Sequence, residues 1–339
     1  MFMVAYQIGE VNKQPIMWLQ RLEKGSVLVL KNFLIIIAVV IAFVGALSVY
    51  SKWSNSRPFF ASNYYEKFTT LCPLEDRYSR KGSYDVDSIQ YSSDDKKIGG
   101  YTVWYPVELK TSSRMYPLIV VANASNSPAF RYEPFFERLA SWGFVVIGNQ
   151  DGHTGTGYSP STSLDLMLKL NSEDDNIFSG KIDIENIGIV GYSQGGAGAI
   201  NAVTRYENGS YYKTIFTGSA AHRLLSENLG WGYDVSKITI PYFMTAGTLK
   251  QDTGENGGIG VAPLSSLIEN FNAINAEIMK VRARASNADH EDMLVRTDGY
   301  MTAWMLYHLM GDEEAGKVFL GEDAEIYHNQ NWQDVQSQN

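Results

Sequence analysis

The chain has 339 residues, 45% of them hydrophobic and 19% charged, enough for one large domain or two modest ones with a sizeable core. Its 28 basic and 37 acidic side chains give a net charge of −9, the wrong sign for a surface that binds nucleic acid by releasing counterions. Cys72 is the single cysteine, which excludes an intramolecular disulfide and zinc or iron–sulfur sites built from several cysteines.

The first predicted element is not globular. From Asn32 to Tyr50 the chain reads NFLIIIAVVIAFVGALSVY, nineteen residues without a charge. As a helix they rise ~28 Å, enough to cross the hydrocarbon core of a bilayer. The run has no clear small-x-small cleavage site after it, which favours an uncleaved anchor over a cleaved signal peptide or a buried helix. Arg21, Lys24 and Lys31 precede it and Lys52 and Arg57 follow. This bias places residues 1–31 inside and the bulk of the chain on the periplasmic or extracellular side, or secreted if the segment is cleaved. Residues 1–57 carry six basic and two acidic side chains, whereas the rest carry 22 and 35, a net of −13. The expected organisation is therefore a short arm over 1–31, a transmembrane helix or signal anchor over 32–50, a linker and leading segment over 51–84, and a catalytic domain over 85–339. The start of that linker, SKWSNSRPFFAS at 51–62, reads as such by composition.

From Asp85 onward strand-like and helix-like patterns alternate. Strands are predicted over 86–91 and 101–105, divided by the turn signal SSDDKKIGG. PLIVVA at 117–122 and FVVIG at 144–148 are near-continuous apolar runs, expected of strands covered on both faces. Helices are predicted over 135–142 and 161–170, a buried strand over 187–190, and a helix over 195–206. Strands over 214–217, 238–246 and 278–285 follow, with helices over 263–278 and 298–310, the last ending at Gly311. Short strands separated by helices of ten or more residues imply parallel βαβ units: an α/β fold with a mostly parallel central sheet flanked by helices. Residues 312–339 read as a short helix and a polar tail.

The chemistry is concentrated in IGIVGYSQGGAGAI, residues 187–200. An apolar strand runs into Gly191-Tyr192-Ser193-Gln194-Gly195 and then into a helix of small residues. Glycines two before and two after a serine permit a sharp strand-to-helix turn that lifts the Ser193 hydroxyl off the sheet, with a helix N-terminus behind it. A serine alcohol needs a general base to become a nucleophile. Of the five histidines, His153 precedes the serine, His222 follows it too closely to leave room for an acid-bearing strand, His308 falls within a predicted helix and His328 lies in the tail. His290, on the loop SNADHED after the last predicted strand, is the candidate base. The orienting acid is expected after the strand ending near Ala246, where Asp252 is the first carboxylate and Glu255 the alternative. Gln194 follows the nucleophile and offers one backbone N–H to an oxyanion; the second is expected from Ala124, Ser125 or Asn126. Tyr158 and Trp231 are candidates for lining the substrate pocket, with core packing as the alternative. The Asp151–His153 pair reads as a hydrogen-bonded turn rather than a metal site.

With these motifs in hand, the chain resembles the α/β-hydrolase superfamily from about Tyr84 to Trp332. It is most similar to the branch of dienelactone-hydrolase-like esterases, bacterial cutinases and polyester hydrolases, and plant chlorophyllases. The resemblance rests on TVWYP (102–106), PLIVVANASNS (117–127), LASWGFVVIGNQDGHTG (139–155), GYSQGG (191–196) and GYMTAWMLYHLMGDEEAGKVF (299–319). It implies a Ser193–His290–Asp252 triad, oxyanion N–H groups at Gln194 and Ser125, and hydrolysis of small or polymeric carboxylic esters without metal or cofactor. The same triad also serves amidases and peptidases, and a catalytically silent, membrane-tethered interaction protein is the non-enzyme alternative.

Overall fold

The structure, a computed structural model, describes residues 14–338. Of the arm expected over residues 1–31, residues 1–13 lie outside the described residues. The remainder continues into one helix, α1 (Gln14–Asn55). Within it, Lys31–Ser51 is the one stretch of the described residues long and apolar enough to cross a membrane, with a mean hydropathy of 2.8. The chain divides into two compact units, the first ending at Arg57 and the second beginning at Pro58.

The second unit opens with α2 (Pro73–Ser79) and an antiparallel pair, β1 (Val86–Tyr91) and β2 (Tyr101–Pro106). Alternation then sets in with β3 (Tyr116–Ala122), α3 (Glu133–Ala140), β4 (Val145–Asn149), α4 (Tyr158–Ser172), β5 (Ile182–Tyr192), α5 (Gln194–Arg205) and β6 (Tyr212–Gly218). After α6 (Arg223–Asn228) come β7 (Tyr242–Gly247), α7 (Lys250–Thr253), α8 (Leu264–Ala273), β8 (Lys280–Ala285) and α9 (Met293–Met310). Two short helices, α10 (Glu313–Gly316) and α11 (Glu325–His328), lead to β9 (Trp332–Gln338). The strands form one nine-stranded sheet in the order β1-β2-β4-β3-β5-β6-β7-β8-β9, parallel from β4 through β8.

The expected α/β architecture is thus observed, and its cause is visible in β3. Leu118, Val120 and Ala122 enter the core on one face, under α4 and α5, while Ile119 and Val121 enter the core on the other, under α3 and α9. Burial on both faces demands the unbroken apolar run seen in the sequence. Helix α9 stops at Gly311, whose φ of +68° is the left-handed cap a glycine supplies at little cost.

Three differences from expectation have physical reasons. Strand β7 begins at Tyr242 rather than Ile238, because a 3₁₀ turn over Val235–Lys237 and then Pro241 stand in the way. The polar tail ends in β9, antiparallel to β8. That edge pairing is polar: the Arg284 guanidinium lies 2.7 Å from the Asp334 carboxylate, and Arg282 Nε donates to Gln336 Oε1 at 3.0 Å. Residues 58–84, expected to be a linker and leading segment, are folded into the second unit. Tyr64 donates its hydroxyl to Asp298 Oδ2 (2.6 Å), and the buried Arg138 side chain ion-pairs with Asp298 while donating to Tyr64 Oη (3.2 Å) and to the Tyr78 carbonyl (2.9 Å). The aromatic and charged groups of this stretch make it look solvent-exposed by composition, yet they find partners on α3 and α9.

Candidate active site

The carboxyl ends of β3, β5, β6, β7 and β8 bring their loops to one edge of the sheet, where a parallel α/β fold gathers its reactive groups. At the end of β5, Ser193 adopts φ +55° and ψ −123°, a region that costs a non-glycine residue roughly 1–3 kcal/mol. Its neighbours impose that conformation. Ser193 N–H donates to the Gly218 carbonyl (3.0 Å), and the Ser193 carbonyl accepts from Gly196 N–H (2.9 Å). A Cβ on Gly191 would stand 2.1 Å from the Gly195 carbonyl oxygen, and one on Gly195 would stand 2.1 Å from that of Ala122. Both glycines are therefore required by close backbone approach, as the spacing implied.

His290 reaches the same point from the β8–α9 loop. Asp289 and Asp292 cap that turn reciprocally, and Asp289 Oδ1 also accepts from Gln251 N–H at 2.9 Å. The Thr248 and Leu249 N–H groups donate to the Ala288 carbonyl at 2.9 and 3.0 Å, stitching this loop to the one after β7. The result aligns three side chains. His290 Nδ1 is 2.7 Å from Asp252 Oδ1, and His290 Nε2 is 2.9 Å from Ser193 Oγ. A carboxylate only accepts, so Nδ1 carries the proton and Nε2 is left to accept from the serine hydroxyl. Asp252 is fully buried; its Oδ2 accepts from the Gly247 N–H (2.6 Å) and from Ser219 Oγ. Glu255, the alternative acid, is exposed and lies 4.0 Å from Lys250.

Ser193 and His290 face a cavity of about 510 Å³, within the range of small-molecule sites. Ala124, Ser125 and Ser127 of the β3–α3 loop line it, so two of the three candidates for the second oxyanion donor, Ala124 and Ser125, face the same cavity as Ser193, and Asn126 is not among its lining residues. Gln194 opens α5, with its backbone N–H in the first turn of that twelve-residue helix. The loop after β3 is held from beneath by Asn123, whose buried amide donates to the carbonyls of Asn149 (2.7 Å) and Asp151 (2.9 Å). Thr154 Oγ1 in turn donates to the Asn123 carbonyl at 2.6 Å.

Tyr158 and Trp231 do not line this cavity, which corrects the sequence expectation. The Tyr158 hydroxyl instead donates to Asp95 at 2.7 Å on the outer surface. The Trp231 ring packs against Gly155, beside the Gln194 side chain. In their place stand Phe59, Phe60, Tyr132, Tyr192 and Leu294. The aromatic pair at 59–60 interrupts a polar stretch, and that was the available signal; Ser219, one residue past β6, had none. At the Asp151–His153 turn, His153 N–H donates to Asp151 Oδ1 at 2.7 Å and Ser159 donates to the other oxygen. Among the described residues no three metal-ligating side chains come together.

A family model described as PET hydrolase-like matches residues 75–214, from α2 to the start of β6, and so includes the Ser193 turn. The match agrees with the α/β-hydrolase resemblance. Asp252 and His290 lie beyond the matched residues. A comparison with curated proteins finds no match.

Proposed function

We propose that this chain is a serine esterase that cleaves carboxylic esters through an acyl-enzyme. The observation carrying this reading is the single imidazole 2.9 Å from Ser193 Oγ and 2.7 Å from a buried carboxylate, above an open cavity. Ser193 Oγ attacks the ester carbonyl as His290 Nε2 takes its proton. The tetrahedral oxyanion is met by the backbone N–H groups of Gln194 and Ser125, with the positive end of α5 behind it. Asp252 holds the imidazole in the required tautomer and stabilises the imidazolium. His290 then protonates the departing alcohol, the acyl group stays on Ser193, and water repeats the sequence to release the acid.

Hydrolysis of 4-nitrophenyl butyrate by the full-length chain tests this. Ser193→Ala is expected to lower kcat by about 10⁴–10⁶-fold and to abolish labelling by a fluorophosphonate. Turnover indifferent to that substitution, or label on another residue, overturns the reading; faster cleavage of the matched anilide would reassign the enzyme to amides. We further propose that residues 32–50 anchor the chain, with the catalytic unit outside the cytoplasm. Retention in the membrane after an alkaline carbonate wash is expected, and a released form lacking residues 1–50 would refute the anchor.

A further inference from the structure

Part of the cavity's lining does not belong to the alternating α/β scaffold. Phe59 and Phe60 come from the strap that enters the second unit at Pro58, and both line the cavity that holds Ser193 and His290. The strap is fixed at both ends. Phe59 N–H donates to the Arg131 carbonyl at 2.8 Å. The Phe59 ring meets Tyr132 edge-on at 5.5 Å, and the Arg131 guanidinium sits 4.1 Å from its centroid. Phe60 packs on Tyr64 at 5.3 Å, and the Tyr64 hydroxyl is bound by Asp298 and Arg138 in the buried core. A strap anchored this firmly presents its rings in a defined place rather than as a loose flap.

What those rings meet follows from their surroundings. Tyr132, Tyr192 and Leu294 continue the apolar surface, and the carboxylate of Glu291 borders it. An aromatic wall edged by a negative charge favours an uncharged, apolar group and repels an anionic one. Resting on the esterase reading above, we propose that Phe59 and Phe60 determine acyl specificity: they form the binding wall for an apolar acyl group larger than acetyl, in a neutral ester. The scaffold carries the reacting groups, and the strap selects the substrate.

The test compares 4-nitrophenyl octanoate with 4-nitrophenyl acetate on the full-length chain in nanodiscs. A single methylene in an apolar pocket is worth about tenfold or more in discrimination, and a phenyl wall contacts several. Phe59→Ala and Phe60→Ala are each expected to lower the octanoate-to-acetate ratio of kcat/KM by about tenfold or more, with Phe60→Leu restoring most of it. A ratio within about twofold of the unsubstituted chain, while turnover still depends on Ser193, overturns the proposal and leaves the esterase reading intact. If an alanine variant fails to fold, Phe59→Trp and Phe60→Trp carry the same comparison, the larger ring being expected to exclude octanoate and lower the same ratio. A binding arm is independent of turnover. The Ser193→Ala chain is expected to bind methyl octanoate in preference to methyl acetate by saturation-transfer NMR, and to lose that preference when Phe59→Ala is added. Equal binding of the two esters overturns the wall even if the esterase reading has failed separately.

Discussion

Asp252 uses its two oxygens for different partners. Oδ1 holds the imidazole, while Oδ2 is pinned by the Gly247 N–H and the Ser219 hydroxyl, so the carboxylate cannot rotate away from His290. Asp252→Asn should therefore leave the fold intact yet lower kcat by about 10³–10⁴-fold, because the amide presents the wrong hydrogen to Nδ1. Ser219→Ala removes one donor to a buried carboxylate, a hydrogen bond of the charge-assisted kind. It should cost about tenfold in kcat with little change in KM, measured by steady-state ester hydrolysis. A loss confined to KM would mean that Ser219 touches substrate instead of steadying the acid. Neither residue announces Ser219's part in advance: a serine past a strand end is ordinary, and only the fold brings its hydroxyl to a carboxylate thirty-three positions away.

At the level of elements, the turn between β5 and α5 is a packing problem solved by glycine. Gly195→Ala would drive a methyl group into the backbone oxygens of Ala122 and Asn123, which sit on the neighbouring strand end and cannot step aside. Ester hydrolysis should vanish and the urea midpoint should drop, whereas Gly180→Ala, with open space at its Cβ, should cost far less despite its φ of +64°. This turn was legible in the sequence because its requirements are local: an apolar strand, two glycines and a run of small residues. The parallel strands were legible for the same reason, since burial on both faces leaves an unbroken apolar signature. Strand β9 was not. Its sequence, WQDVQSQ, pairs through Arg282, Arg284, Asp334 and Gln336, and a polar edge strand looks like a tail until its partner is known. The cavity wall was hidden likewise, because Phe59, Tyr132 and Leu294 meet only in three dimensions. The choice of Tyr158 and Trp231 followed chain proximity to the loops, and the fold turns those rings elsewhere.

Across the whole second unit, stability depends on a charged pair that water does not reach. Arg138 and Asp298 are buried, and Arg138 also donates to the Tyr78 and Arg80 carbonyls and to Thr302 Oγ1. Arg138→Leu strands a carboxylate in the core and should lower unfolding free energy by about 3–5 kcal/mol in urea titrations. His308 makes a second contribution, and a pH-dependent one. Its ring packs on Trp304, its Nε2 has no hydrogen-bond partner among the described residues, and burial pushes its imidazole down to about 4. The unfolded chain, with an ordinary histidine near 6.5, binds the extra proton between those two values. Stability from this site is therefore whole above about pH 6.5 and is lost as pH falls toward 4, by on the order of 3 kcal/mol. His308→Phe should flatten that part of the profile, read as urea midpoint against pH. The strap that starts at Pro58 has a last consequence, for any protease that separates the second unit from the apolar helix. A cut before Pro58 frees the unit with its aromatic wall in place. A cut a dozen residues later discards Phe59, Phe60 and Tyr64, so on the proposals made above the liberated fragment is expected to keep Ser193 beside His290 and to lose its preference for longer acyl chains.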